Sequence, residues 1–157
     1  MNPVLYKETQ SLWWLTLILI ILGGQLLLSG IFQWGTKPIP IEIAIIIGVL
    51  LILPALLVYN LTITITEEYA YAKFGIGILK RKVLLEDLDI KNAEITRLSL
   101  ASGIGYRYGS RGLFLNTKPG PALYIPGKDG KKHFWVGTKN GEEIISIIKD
   151  TCKNVIN

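Results

Sequence analysis

The chain has 157 residues; half are hydrophobic and only 18% are charged, with 17 Lys/Arg against 12 Asp/Glu. That balance excludes a disordered chain, a collagen-like chain, a disulfide-stapled secreted domain and a large multidomain enzyme. One cysteine (Cys152) and one histidine (His133) allow neither an internal disulfide nor a Cys/His metal cluster within one chain. The apolar excess is uneven. Residues 1–60 hold four charged side chains, Lys7, Glu8, Lys37 and Glu42, and residues 61–157 hold the other 25.

Leu12 to Phe32 is a run of 21 residues without a charge. At about 1.5 Å per residue it spans roughly 30 Å, the thickness of the bilayer hydrocarbon. Trp13 and Trp14 mark one end and Trp34 lies just past the other, as expected of residues that favour membrane interfaces. A second run follows from Ile39 to Tyr59. The short Gln33–Pro38 connection predicts an antiparallel transmembrane hairpin within residues 1–60, with helices at about 12–33 and 39–59. The first run is too long for a cleaved signal peptide and has no A-x-A site after it, so it reads as a retained anchor. Pro40 suits the first turn of a helix. Glu42 then meets the positive end of the helix dipole, or is a functional carboxylate. Pro54 predicts a kink, with a functional hinge as the alternative.

Membrane helices associate through small residues. Thr16, Gly23 and Gly30 share one face of the first helix, and Ala44, Gly48 and Ala55 one face of the second. Antiparallel packing pairs Gly30 with Ala44, Gly23 with Gly48 and Thr16 with Ala55. Gln25 is then left on the outside, about 200° around the helix from Gly23. Its amide either bonds within the hairpin or is covered by another transmembrane helix, from a second copy or a larger complex. Lys7, Lys73, Lys80, Arg81 and Lys82 flank the hairpin's open end, against Lys37 in its turn. The positive-inside rule therefore expects both termini in the cytoplasm, with the hairpin in the cell's inner (cytoplasmic) membrane.

Residues 61–157 read as one domain. Leu61–Thr66 alternates strictly, Glu67-Glu68 makes a turn, and Tyr69–Phe74 alternates again, which predicts a hairpin. Further strands are expected over Ile78–Leu84, Lys91–Leu100, Leu113–Leu115, Ala122–Ile125 and His133–Val136, with Ser102–Gly112 a mobile connection. From Asn140 to Asn154 the period changes. Ile144, Ile145, Ile147, Ile148 and Cys152 form an apolar helical face, with Asn140 as cap.

About seven short strands and a C-terminal amphipathic helix predict an α+β membrane protein whose soluble part is a bent antiparallel β-sandwich or barrel. The chain resembles bacterial membrane proteins with a two-helix transmembrane hairpin followed by a PH-like (pleckstrin-homology-like) domain. The segments that carry the resemblance are Leu61–Thr64, Val83–Leu88, Arg111–Leu113, and Phe134–Thr138 leading into Gly141–Ile145. The resemblance covers residues 12–155 and implies binding or assembly at a membrane, without catalysis. One departure matters. Inositide-binding PH domains carry basic residues in the turn between their first two strands, where this chain has Glu67-Glu68.

Candidate chemistry is thin. Ser102-Gly103-Ile104-Gly105 lacks the Gly-Lys-Ser/Thr ending of a phosphate loop. Ser102 or Ser110 as nucleophile has only His133 as a base. Cys152 falls on the packed face of the last helix. No catalytic, metal or cofactor site is expected, and nucleic acid is a poor partner. The basic clusters carry more information. Lys80, Arg81, Lys82, Arg107 and Arg111 form a candidate surface for anionic lipid or a partner; solvated strand edges are the plainer alternative, and they also suffice for Lys128–Lys132. The leading expectation is a non-enzymatic accessory or scaffold subunit that binds membrane proteins. The alternatives are an anionic-lipid sensor and a membrane enzyme whose cleft gathers Tyr106, Arg107, Arg111 and His133.

Overall fold

The computed structural model describes residues 3–99, 101 and 103–154. Leu100, expected to end a strand, and Ser102 lie outside the described residues. Among the described residues the chain forms nine strands and three α-helices. Strand β1 (Val4–Ser11) precedes helices α1 (Trp13–Phe32) and α2 (Ile41–Val58). Then come β2 (Asn60–Thr66), β3 (Tyr69–Phe74), β4 (Lys80–Leu84), β5 (Glu94–Leu98), β6 (Gly105–Gly109), β7 (Gly112–Asn116), β8 (Gly120–Ile125), β9 (Phe134–Gly137) and α3 (Gly141–Asn154).

Helices α1 and α2 are long and apolar enough to cross a membrane. Within them the buried residues are Gly23, Gly30, Ala44, Gly48 and Ala55. A Cβ on Gly23 would lie 2.8 Å from Ile52 Cγ1 and 3.1 Å from the Gly48 carbonyl, and one on Gly48 would lie 2.8 Å from Leu27 Cγ. Gly30 faces the Ala44 methyl. Larger side chains here would force the backbones apart. Thr16 is half-buried, and its hydroxyl donates to the Leu12 carbonyl at 3.2 Å. Between the helices Gln33 adopts the left-handed conformation (φ 52°), and its side-chain amide donates to the Gly30 and Ile39 carbonyls.

Strand β1 pairs antiparallel with β2, from Val4 opposite Thr66 to Ser11 opposite Asn60. The ladder continues one step further, where the Leu12 N–H donates to the Tyr59 carbonyl at 2.8 Å. The helical hairpin is thus an insertion between two paired strands. Sequence reasoning places residues 4–11 with the helices, because the inward residues of β1 (Tyr6, Glu8 and Gln10) are polar and show no apolar alternation.

The first sheet has the order β1-β2-β3-β4 and the second β5-β8-β9-β7-β6. Pairing is antiparallel except between β7 and β9. Leu61, Ile63 and Ile65 of β2 and Ala70, Ala72 and Phe74 of β3 point inward and are fully buried. They meet Leu115, Leu123, Ile125 and Val136 of the second sheet, together with Leu12 from the base of the hairpin. Helix α3 adds Ile144 and Ile148 and packs against β1 and β8. The opposite face of the second sheet carries a small cluster of Leu98, Phe114, Ala122 and Trp135. The architecture is α+β, with two sheets that do not close into a barrel. Nine strands replace the expected seven: β1 is additional, and β6 lies inside the stretch expected to be a mobile connection. The Asn140 carbonyl accepts the first helical bond of α3, from Ile144, while its side-chain amide donates to the Tyr6 hydroxyl at 3.0 Å.

Because Leu12 is 1% exposed in the main core, Leu12→Ala is expected to destabilise the protein by about 2–5 kcal/mol. Leu50→Ala, on the exposed side of α2, should leave the β-domain nearly unchanged. Unfolding of the detergent-solubilised variants, followed by tryptophan fluorescence, checks the contrast.

Candidate functional site

The end of the β-domain next to the hairpin gathers most of the distinctive chemistry. A groove of about 390 Å³ runs between the hairpin base (Leu12, Leu15 and Val58) and the segment Gly103–Gly105 with Arg107 and Pro119. The Arg107 Nε donates to the Ile104 carbonyl at 3.0 Å. Its guanidinium lies so close to Gly103 that a Cβ there would sit 2.8 Å from Cζ, and Gly103 also has φ +72°. Glycine is therefore required to seat this arginine.

Lys73 and Lys80 face each other across the β3–β4 pair, one pairing step from Thr62 and close to the end of α2. Exposed Lys118 adjoins Pro119 at the same end. No Asp or Glu occurs in residues 70–85 or 95–128, so the hairpin-facing turns of these segments are basic only. The acidic pairs Glu67-Glu68 and Glu86-Asp87 lie at the far ends of β2 and β4.

The five basic residues singled out in the sequence are distributed. Lys80 and Lys82 sit on the outer face of the first sheet, where the Lys82 ammonium lies 3.9 Å from the centre of the Tyr69 ring. Arg81 points the other way, and its Nε donates to the His133 carbonyl at 3.2 Å. Arg107 is at the hairpin end. Arg111 is in the β6–β7 turn at the opposite end, paired with Glu94 and with its guanidinium 5.2 Å from the Tyr124 ring centre. Gln25 is exposed on α1, roughly 18 Å along the helix from Trp13. Glu42 is exposed in the first turn of α2, and Pro54 lies within α2.

Tyr106 and Arg107 alternate onto opposite faces of β6. His133 lies over Gly112, and its Nε2 is 2.9 Å from the Leu113 carbonyl. A recess of about 370 Å³ on the second sheet brings together Arg107, Tyr108, Ser110, Phe114 and Trp135 among its lining. No acid or histidine lines it. Among the described residues no group of three or more His, Cys, Asp or Glu is placed to hold a metal ion. Cys152 is half-buried against the main core.

Sequence reasoning missed a polar network that ties β1 to the second sheet. The Glu8 carboxylate accepts from the Tyr6 hydroxyl at 2.8 Å, from Gln10 Nε2 at 2.8 Å and from the Thr138 hydroxyl at 2.6 Å. Gln10 also donates to the Gly137 carbonyl at 2.8 Å and accepts from Thr117. Every polar atom named here is paired, so the network couples the strand that leads into α1 to the strand that leads into α3. Burial pushes the Tyr6 phenol up to about 12; the Asn140 amide opposes the shift and the Glu8 carboxylate adds to it. An i, i+2 run of polar residues beside an apolar helix was the only available signal.

Comparison of the chain with protein-family models, with curated proteins and with solved structures gives no match in any of the three.

A raised phenol pKa means the folded state keeps its proton after the unfolded chain has lost it. Tyr6 therefore contributes stability that is present below pH 10 and lost as the pH rises from 10 towards 12. Subtracting the pH–stability curve of Tyr6→Phe from that of the parent, between pH 8 and about 12, should leave this alkaline loss. Identical curves would show that the phenol is not shifted.

Proposed function

We propose that the chain is a non-enzymatic, membrane-anchored accessory or scaffold protein. In this reading the hairpin crosses the membrane twice, and a PH-like domain on the cytoplasmic side binds proteins in or at the membrane. The observation that carries it is the uninterrupted ladder at the hairpin base, where Leu12 bonds Tyr59 with no linker between strand and helix. A domain attached in this way is presented at a fixed height and rotation. That arrangement suits a docking platform better than a module that must search its surroundings.

Two further observations support the reading. Gln25 is exposed on α1 and makes no hydrogen bond to another described residue. An amide facing hydrocarbon is costly, and a helix from a partner or a second copy would supply what it lacks. Two facing sheets with a C-terminal helix packed against them also support a PH-like plan, from which β1, β6 and the parallel β7–β9 pair depart. The cytoplasmic orientation is supported by Lys7, Lys73 and Lys80 on the domain side of the hairpin, against Lys37 at its turn. The second reading is an anionic-lipid sensor. It is favoured by one observation: Lys73, Lys80, Arg107 and Lys118 share the hairpin-facing end. Each basic residue near an anionic leaflet is worth about 1 kcal/mol.

The test is mild-detergent purification of the tagged protein from its native membrane, followed by native mass spectrometry. A stoichiometric partner or a defined homo-oligomer is expected. Gln25→Leu should weaken it by roughly 3- to 20-fold, the worth of one interhelical hydrogen bond of about 0.6–1.7 kcal/mol. A lone protomer with no neighbour crosslinked in cells would overturn the subunit reading, and retained anionic lipid would then favour the sensor.

A further inference from the structure

We propose that the β3–β4 turn is a second membrane contact, which sinks Ile76 and Ile78 into the headgroup layer beside the end of α2 and sets Lys73 and Lys80 on lipid phosphates. The proposal rests on the hairpin crossing the membrane, because the hairpin fixes where the bilayer surface lies. The turn is short and closed: Phe74 N–H donates to the Leu79 carbonyl at 2.8 Å and Gly77 N–H to the Phe74 carbonyl at 2.7 Å. It is also pinned to α2. The Gly75 N–H donates to the Asn60 carbonyl at 2.9 Å, and a Cβ on Gly75 would meet the Leu57 and Leu56 carbonyls at 2.5 and 2.8 Å. The turn therefore sits at the depth of the last turn of α2.

At that depth Ile76 and Ile78 are 65% and 66% exposed, while the neighbouring Phe74 is fully buried. Two exposed isoleucines on either side of Gly77 in a soluble turn have no packing reason. Beside the apolar surface of α2 they extend the surface that the bilayer covers. The flanking charges have the right sign for that layer. Lys73 and Lys80 lie directly opposite one another at the root of the turn, and no acid occurs between residues 70 and 85. Lipid phosphate is the ligand chemistry that this pairing of apolar tip and basic root fits. The Glu67-Glu68 turn at the other end of the sheet has neither feature.

The test uses the full chain with Cys152→Ser, reconstituted in phosphatidylcholine vesicles containing phosphatidylglycerol. Single Ile76→Cys, Ile78→Cys, Leu50→Cys and Glu67→Cys variants carry an environment-sensitive fluorophore. Lipids spin-labelled at the headgroup or at the acyl terminus serve as quenchers. The expected result is a blue shift and loss of emission at 76 and 78 with headgroup quenchers, loss at 50 with acyl quenchers, and neither at 67. Quenching at 50 without quenching at 76 and 78 would overturn the second contact and leave the hairpin standing. No quenching at 50 would overturn the membrane-crossing reading, and the second contact with it.

Discussion

The hydrogen bond from the Leu12 amide to the Tyr59 carbonyl sits where a β-ladder becomes a helical hairpin. Strands β1 and β2 arrive there in register, and α1 and α2 leave from the same two residues. An insertion anchored in this way has little freedom to swivel, because rotation would break main-chain bonds on one side or unpack Leu12 on the other. Leu12 itself belongs to the core shared by both sheets and α3. The position of every hairpin-facing turn, including the groove beside Arg107, follows from that junction.

Two interactions of different character hold the junction. Below it, small residues let α1 and α2 approach closely, with Gly23 against Gly48 and Gly30 against Ala44. Above it, β1 is fastened to the second sheet by hydrogen bonds instead of apolar contacts, through Glu8 and Gln10 to Thr117, Gly137 and Thr138. An apolar inward face on β1 would pack without directional bonds. A polar one fixes the register, because each buried polar atom needs a particular partner. The hairpin-facing end carries Lys73, Lys80, Arg107, Lys118 and the exposed Ile76 and Ile78, whereas the far end holds the acidic pairs Glu67-Glu68 and Glu86-Asp87 together with Arg111 and Lys132.

Much of this was legible in the sequence where periodicity was strong. The two apolar runs, the small-residue faces, the Leu61–Phe74 hairpin and the Ile144/Ile148 face of α3 all follow from spacing. The failures have physical causes. Strand β1 carries Tyr6, Glu8 and Gln10 inward, so its alternation is invisible to hydrophobicity. Strand β6 is Gly-Tyr-Arg-Tyr-Gly, a composition that resembles a loop until β7 pairs with it. The basic cluster Lys80-Arg81-Lys82 looked like one patch, but a strand sends neighbours to opposite faces. The value of Ile76 and Ile78 could not be read from a turn of unknown depth, since it depends on Gly75 meeting the end of α2.

The central claim is that strand β1 clamps the domain to the hairpin as one body. Amide hydrogen exchange of the full chain in lipid nanodiscs tests it most directly. The account predicts that the alternate β1 amides that face β2, ending with Leu12, are protected as strongly as residues 60–66, because they share one ladder. Rapid exchange across residues 4–12, with residues 60–66 protected, would contradict it: the domain would then hang from α2 alone, and neither a fixed height nor a fixed rotation over the membrane would follow.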